Sequence, residues 1–98
     1  MEFLVHIEVR YSPEADQEKR ARLGEAERAR AAELAELGII KRLWRVPGRW
    51  ANYGLWAAPD ANALHEAISS LPLFPWLDVE VTPLAEHPSD PQRSRDRG

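Results

Sequence analysis

The sequence predicts an α+β domain in which one four-stranded antiparallel sheet carries two helices on a single face. Three observations lead there. Apolar residues alternate with polar ones near both ends of the chain, as in half-buried strands. Two short apolar stretches in the middle flank Pro47-Gly48, as in a hairpin. Two runs of helix-forming residues separate these strands. The order is βαββαβ.

The elements follow in turn. Phe3, Val5, Ile7 and Val9 alternate with Leu4, His6, Glu8 and Arg10, a strand with one face on a core. Ser12 is a candidate helix cap and Pro13 a candidate first helical residue, with Glu14 and Asp16 suiting the positive helix end. Helix formers then continue to Leu37, interrupted only by Gly24, and Gly38 suits the stop. Ile39 to Val46 and Ala51 to Ala57 form the hairpin. Asp60 caps a second helix reaching Ser70, with Ala63, Leu64, Ala67, Ile68 and Leu71 on its apolar side. The prolines of Leu71-Pro72-Leu73-Phe74-Pro75 end it. Trp76 to Thr82 is the fourth strand, with Leu77, Val79 and Val81 facing one way.

Such an order gives a ferredoxin-like sandwich, expected as one domain over residues 1–87 with a polar, flexible tail over 88–98. The helices leave the other sheet face bare, so a homo-oligomer is expected, associating as dimeric α/β barrels do. A chain of 98 residues buries only about 60–65% of its unfolded surface, which also favours self-association.

Composition narrows the function. With 44% hydrophobic and 30% charged residues, the chain suits a folded soluble domain rather than disorder. There is no cysteine, which removes disulfides, thiolate metal sites and cysteine nucleophiles. The net charge is −3, and residues 1–87 hold 10 basic against 14 acidic side chains, so no basic footprint for nucleic acid exists. The tail Arg93-Ser94-Arg95-Asp96-Arg97 is too short to supply one. No apolar run reaches the roughly 18–20 residues of a membrane span. The start Met-Glu-Phe-Leu-Val-His-Ile lacks the basic region of a signal peptide, so a cytoplasmic location is expected.

The first helix holds an anomaly. With Leu23 at zero and about 100° per residue, Leu34 falls near about 20° and Leu37 near about −40°, which defines a buried stripe. Glu27, at about 40°, and Arg30, at about −20°, point the same way. They form either an i, i+3 ion pair at the core edge, with Arg30 reaching outward, or a pocket containing a carboxylate whose proton affinity is raised by desolvation. His6 lies opposite Phe3, Val5 and Ile7, where a satisfied sheet or interface histidine is the simpler reading. His6, His65 and His87 lack metal-ligand spacing, and no metal site is expected. Phosphate-loop and serine-nucleophile motifs are missing too. Asn52 places an amide inside a strand, where it needs hydrogen-bond partners if buried.

Trp44-Arg45-Val46-Pro47-Gly48, then Ala51-Asn52-Tyr53, then the unbroken run from Leu71 to Leu84 and finally His87-Pro88 resemble the muconolactone delta-isomerase family. The resemblance spans the chain from the first strand to about Pro88. It implies a ferredoxin-like subunit in a ring-like homo-oligomer, decameric in well-known members, with pockets between subunits. It also implies a cofactor-free isomerisation of muconolactone to 3-oxoadipate enol-lactone in the β-ketoadipate branch of aromatic catabolism. Related members remove chloride from chlorinated muconolactones.

By that resemblance Glu27 matches the family's glutamate and would take and return the proton, while Asn52, of the Ala-Asn pair, would donate to the lactone oxygen. Arg45 would hold the acetate arm, with Arg30 and Arg42 as competitors. Two departures bear on the substrate: Trp50 stands where the family usually has tyrosine, and His6 where lysine is common. Both are candidate substrate-binding positions. The alternatives are an isomerase or dehalogenase of a substituted muconolactone, and a non-catalytic module that binds a small acid.

Overall fold

The computed structural model describes residues 1–11 and 16–92. Its elements are β1 (Glu2–Val9), α1 (Gln17–Glu36), β2 (Ile40–Arg45), β3 (Ala51–Ala57), α2 (Ala61–Ser69), a 3₁₀ turn (Phe74–Trp76) and β4 (Leu77–Leu84). The strands lie in the order β2-β3-β1-β4, and every neighbouring pair is antiparallel. This is the ferredoxin-like arrangement expected from the order of elements.

Register decides which residues face the helices. Phe3 pairs with Trp56, Val5 with Gly54 and Ile7 with Asn52, so these six share one sheet face. Phe3, Val5, Ile7 and Trp56 meet Leu34 of α1, Ile40 of β2 and Leu64, Ala67, Ile68 and Leu71 from α2 and its end in a single core. Each large side chain buried this way contributes about 1.5–3 kcal/mol. Both helices therefore pack on the same side.

The ends of the helices follow local chemistry. Asp16 caps α1, its carboxylate accepting the Glu18 N–H at 2.9 Å; Ser12 and Pro13 lie outside the described residues. Asp60 caps α2 by accepting the Ala63 N–H at 2.8 Å. At the other end of α1, Gly38 adopts φ 77°, Ile39 N–H donates to Leu34 O at 2.9 Å, and Gly38 N–H donates to Ala35 O at 3.0 Å. That pair of bonds is a Schellman turn, and it swings Ile39 onto the core.

The same turn corrects one expectation. Leu37 was placed on the buried stripe by its helical angle, yet it is 68% exposed. It is the C-cap of α1, where the chain leaves the helix, and Ile39 takes the packing position instead. A second difference is in β4, which runs on through Pro83 to Leu84 rather than stopping at Thr82. β4 is an edge strand, where proline's missing N–H is tolerated. Trp76 belongs to the 3₁₀ turn before it.

Neither α1 nor α2 packs on the outer sheet face. His6 packs against Tyr53 with ring centroids 4.7 Å apart and the rings tilted by 56°, Leu4 pairs with Leu55, and Trp44 and Tyr53 are each more than two-fifths exposed. Past β4, the Ser89 N–H donates to His87 Nδ1 at 3.0 Å in a turn; Arg93, Arg95, Asp96 and Arg97 lie outside the described residues.

Candidate active site

A cleft of about 740 Å³ opens between α1, the ends of β1, β2 and β3, and the loop holding Leu73. Gly24 and Ala31 lie on the helix face that borders it, one turn to either side of Glu27. Small residues there leave the groove open. Beneath the cleft, a smaller chamber of about 100 Å³ also has Glu27 and Asn52 in its wall, among apolar side chains that include Ile7, Leu43 and Leu77.

Glu27 is not paired with Arg30. Among the described residues its only hydrogen bond comes from the main-chain N–H of Leu73, which reaches Glu27 Oε1 at 3.4 Å. Half-burial among apolar groups pushes its carboxyl above the usual carboxylate range, and the long bond from Leu73 pulls the other way only weakly. Of the two readings open for this helix, the i, i+3 ion pair is not formed: Arg30 pairs with Glu33, and Glu27 lines the cleft.

Asn52 faces the cleft from the sheet. Its side chain makes no hydrogen bond among the described residues, and Oδ1 is buried without a partner. Turning the amide over costs no existing bond, so either its acceptor or its N–H can be offered to a ligand. Arg45 pairs with Asn52 across β2 and β3 and lines the cleft. It has no ion pair or hydrogen bond among the described residues. Trp50 stands at the mouth, 78% exposed, so in the single subunit it rims the cleft and does not narrow its floor.

Two expected site residues are not brought here. Arg30 donates from Nε to Ser70 Oγ and from Nη1 to Glu33 Oε2, each at 2.9 Å. These bonds tie α1 to the end of α2 and turn the guanidinium away from the cleft. His6 lies on the outer sheet face beside Tyr53, because period-2 alternation puts it opposite Ile7. Arg42 is also outside, its guanidinium 4.9 Å from the centre of the Trp44 ring.

Other cleft residues went unread in the sequence. Arg20 and Arg28 share the helix face of Gly24, Glu27 and Ala31, a spacing that marks one side of a helix. Arg20 rests on the Tyr11 ring at 4.3 Å. At the rim, Glu8 binds Arg49 and Arg10, and the Arg49 hydrogen bond holds its carboxyl below the usual range. Arg10 also reaches Asp78 at 3.1 Å. Arg28 and Arg45 are thus the cleft cations left without a partner among the described residues. No group of three or more metal-ligating side chains is gathered among those residues.

Comparison with known proteins identifies the family and supports the fold. The sequence model of the family described as muconolactone delta-isomerase matches residues 1–90. Muconolactone Delta-isomerase of Pseudomonas aeruginosa is 38% identical over 89 residues, covering 91% of this chain and 93% of that protein. Muconolactone Delta-isomerase 2 of Acinetobacter lwoffii is 39% identical with the same coverage. A crystal structure of muconolactone isomerase at 3.3 Å resolution superposes with a TM-score of 0.87 at 37% identity, covering 93% of this chain and 95% of that one. The chain belongs to the muconolactone delta-isomerase family.

Proposed function

We propose that this isomerase converts muconolactone to its enol-lactone isomer, with Glu27 moving the proton. The observation that carries the reading is a carboxylate of raised proton affinity, facing a mostly apolar chamber that it shares with an unpartnered amide. Muconolactone is an unsaturated lactone with an acetate arm on the ring γ-carbon. Removing the γ-proton leaves an electron pair that spreads through the ring double bond onto the lactone carbonyl. Glu27 accepts that proton, and the resulting carboxylic acid delivers one to the α-carbon, so the double bond moves and no charge is consumed. A desolvated glutamate is a stronger base than a solvated one and can hold the proton between the two steps.

The remaining residues follow from charge. Negative charge grows on the carbonyl oxygen, and Asn52, turned to present its N–H, offsets it. The acetate arm needs a cation, and Arg45, unpaired at the cleft wall, binds it through paired N–H groups. Nothing in these steps calls for a cofactor. The relatives cited are named as isomerases, which leaves the non-catalytic module without support.

The subunit is completed by a second copy. The bare sheet face with Leu4, His6, Trp44, Tyr53 and Leu55 is the surface such a copy would cover, and His6 belongs to it rather than to the cleft. A cytoplasmic location fits a chain without cysteine in which no described helix is long and apolar enough to cross a membrane.

The test is conversion of muconolactone in D₂O, followed by proton NMR. The expected product is the enol-lactone, formed with loss of the γ-proton signal only in the presence of protein. An unchanged lactone spectrum after long incubation with folded protein would refute the reading.

A further inference from the structure

Asn52 is not the only polar group left alone in the interior. Trp56, 1% exposed, has its indole Nε1 buried without a partner among the described residues. Buried tryptophans usually satisfy this N–H, and leaving it unpaired costs about 1–3 kcal/mol. A phenylalanine would fill a core position without that cost.

Gly54 explains how the indole comes to lie as it does. A Cβ at position 54 would sit 2.6 Å from Trp56 Nε1 and 2.9 Å from Cδ1, closer than real side chains approach. The pyrrole edge of Trp56 is therefore folded along β3 over Gly54, towards the Asn52 end of the strand. Asn52, Gly54 and Trp56 alternate on the helix-facing side, and Asn52 and Trp56 both line the small chamber with Glu27. Apart from Glu27 and Asn52, whose Oδ1 makes no bond to the indole, its walls are apolar, so the chamber holds a donor that no group of the described residues uses.

We propose that the Trp56 indole N–H is a substrate-binding donor, taking the lactone carbonyl oxygen at the floor of the site alongside Asn52, with Gly54 as the residue that permits it. This rests on the isomerase reading above for the identity of the oxygen. A neutral donor suits that place. It stabilises charge growing on the carbonyl oxygen, yet it brings no cation that would pair with Glu27 and weaken it as a base.

The experiment is a titration of the intact protein with the saturated lactone of the same skeleton, which keeps the carbonyl and the acetate arm but has no double bond to move. Among the indole N–H proton resonances, the one absent in Trp56→Phe should move downfield as the analogue binds. Trp56→Phe should also lower kcat for muconolactone about 10²-fold with a far smaller change in KM. Gly54→Ala, which keeps the indole but displaces it, should reproduce that loss, and should add little when combined with Trp56→Phe. An unmoved resonance at saturation, or a folded Trp56→Phe with the wild-type kcat, overturns the assignment while normal wild-type turnover leaves the isomerase reading intact. If the resonance moves but wild-type protein converts no muconolactone, the donor stands and the isomerase reading falls.

Discussion

The main-chain N–H of Leu73 reaches Glu27 Oε1 at 3.4 Å, so the proline-rich loop after α2 touches the one acid that α1 turns towards the core. This bond is long, and it is the only one the carboxylate has among the described residues. Glu27 is therefore oriented without being strongly stabilised as an anion, which is the condition a proton carrier requires.

That condition has a consequence for stability. The folded state raises the proton affinity of Glu27 above its ordinary value of 4.5, so folded protein binds the proton more readily than unfolded protein. Stability then falls as pH rises through the interval from 4.5 to the raised value, and the loss persists above it. Glu27→Gln removes the charge. It should melt at a higher temperature than wild type at neutral pH, with the difference shrinking to nothing below about pH 4. Thermal melts across that range check the sign.

Arg45 should separate binding from chemistry. If its guanidinium holds the acetate arm, Arg45→Met removes a charge-assisted pair of bonds present in ground and transition states alike. The expected result is a KM raised about 10- to 100-fold with kcat nearly unchanged. Steady-state kinetics on muconolactone and on its methyl ester decide it, because the ester should lose far less. Equal losses on both would reassign the cation, with Arg28 next in line.

The sequence made the fold readable because nearly every element had two independent signals. β1 had its alternation and a turn after it; α2 had both its Asp60 cap and an apolar stripe. Leu37 was misread because helical angle says nothing about where a helix stops, and the Gly38 turn gave its place to Ile39. The site was legible where a residue contradicted its surroundings. Glu27 sits on a leucine stripe and Asn52 within a strand, and each conflict proved to be a cleft wall. Arg30 showed the same conflict and resolved it differently, because Ser70, forty residues away, supplies a partner that no local pattern reveals. Trp56 hid for the opposite reason: a core tryptophan looks ordinary until its N–H is found alone.

The bare sheet face yields a prediction about assembly. Tyr53 and Trp44 lie on it, each more than two-fifths exposed, and a second copy should bury them. Tyr53→Glu places a charge there and should lower the mass measured by sedimentation or light scattering towards that of a single 11.2 kDa chain. The Glu substitution stays on the solvent side of the subunit core, so circular dichroism should be preserved. A wild-type mass of one chain would remove the second copy from the account.

The central claim is that Glu27 ferries the proton, and the turnover of muconolactone by Glu27→Gln tests it most directly. The variant keeps the shape of the side chain and loses the base, so kcat should fall by about 10²- to 10⁴-fold while the melting temperature at neutral pH does not fall. In the wild type, kcat/KM should drop on acidification with a midpoint above the ordinary glutamate value, and the residual activity of the variant should lack that limb. A folded Glu27→Gln that turns over muconolactone at the wild-type rate would contradict the account.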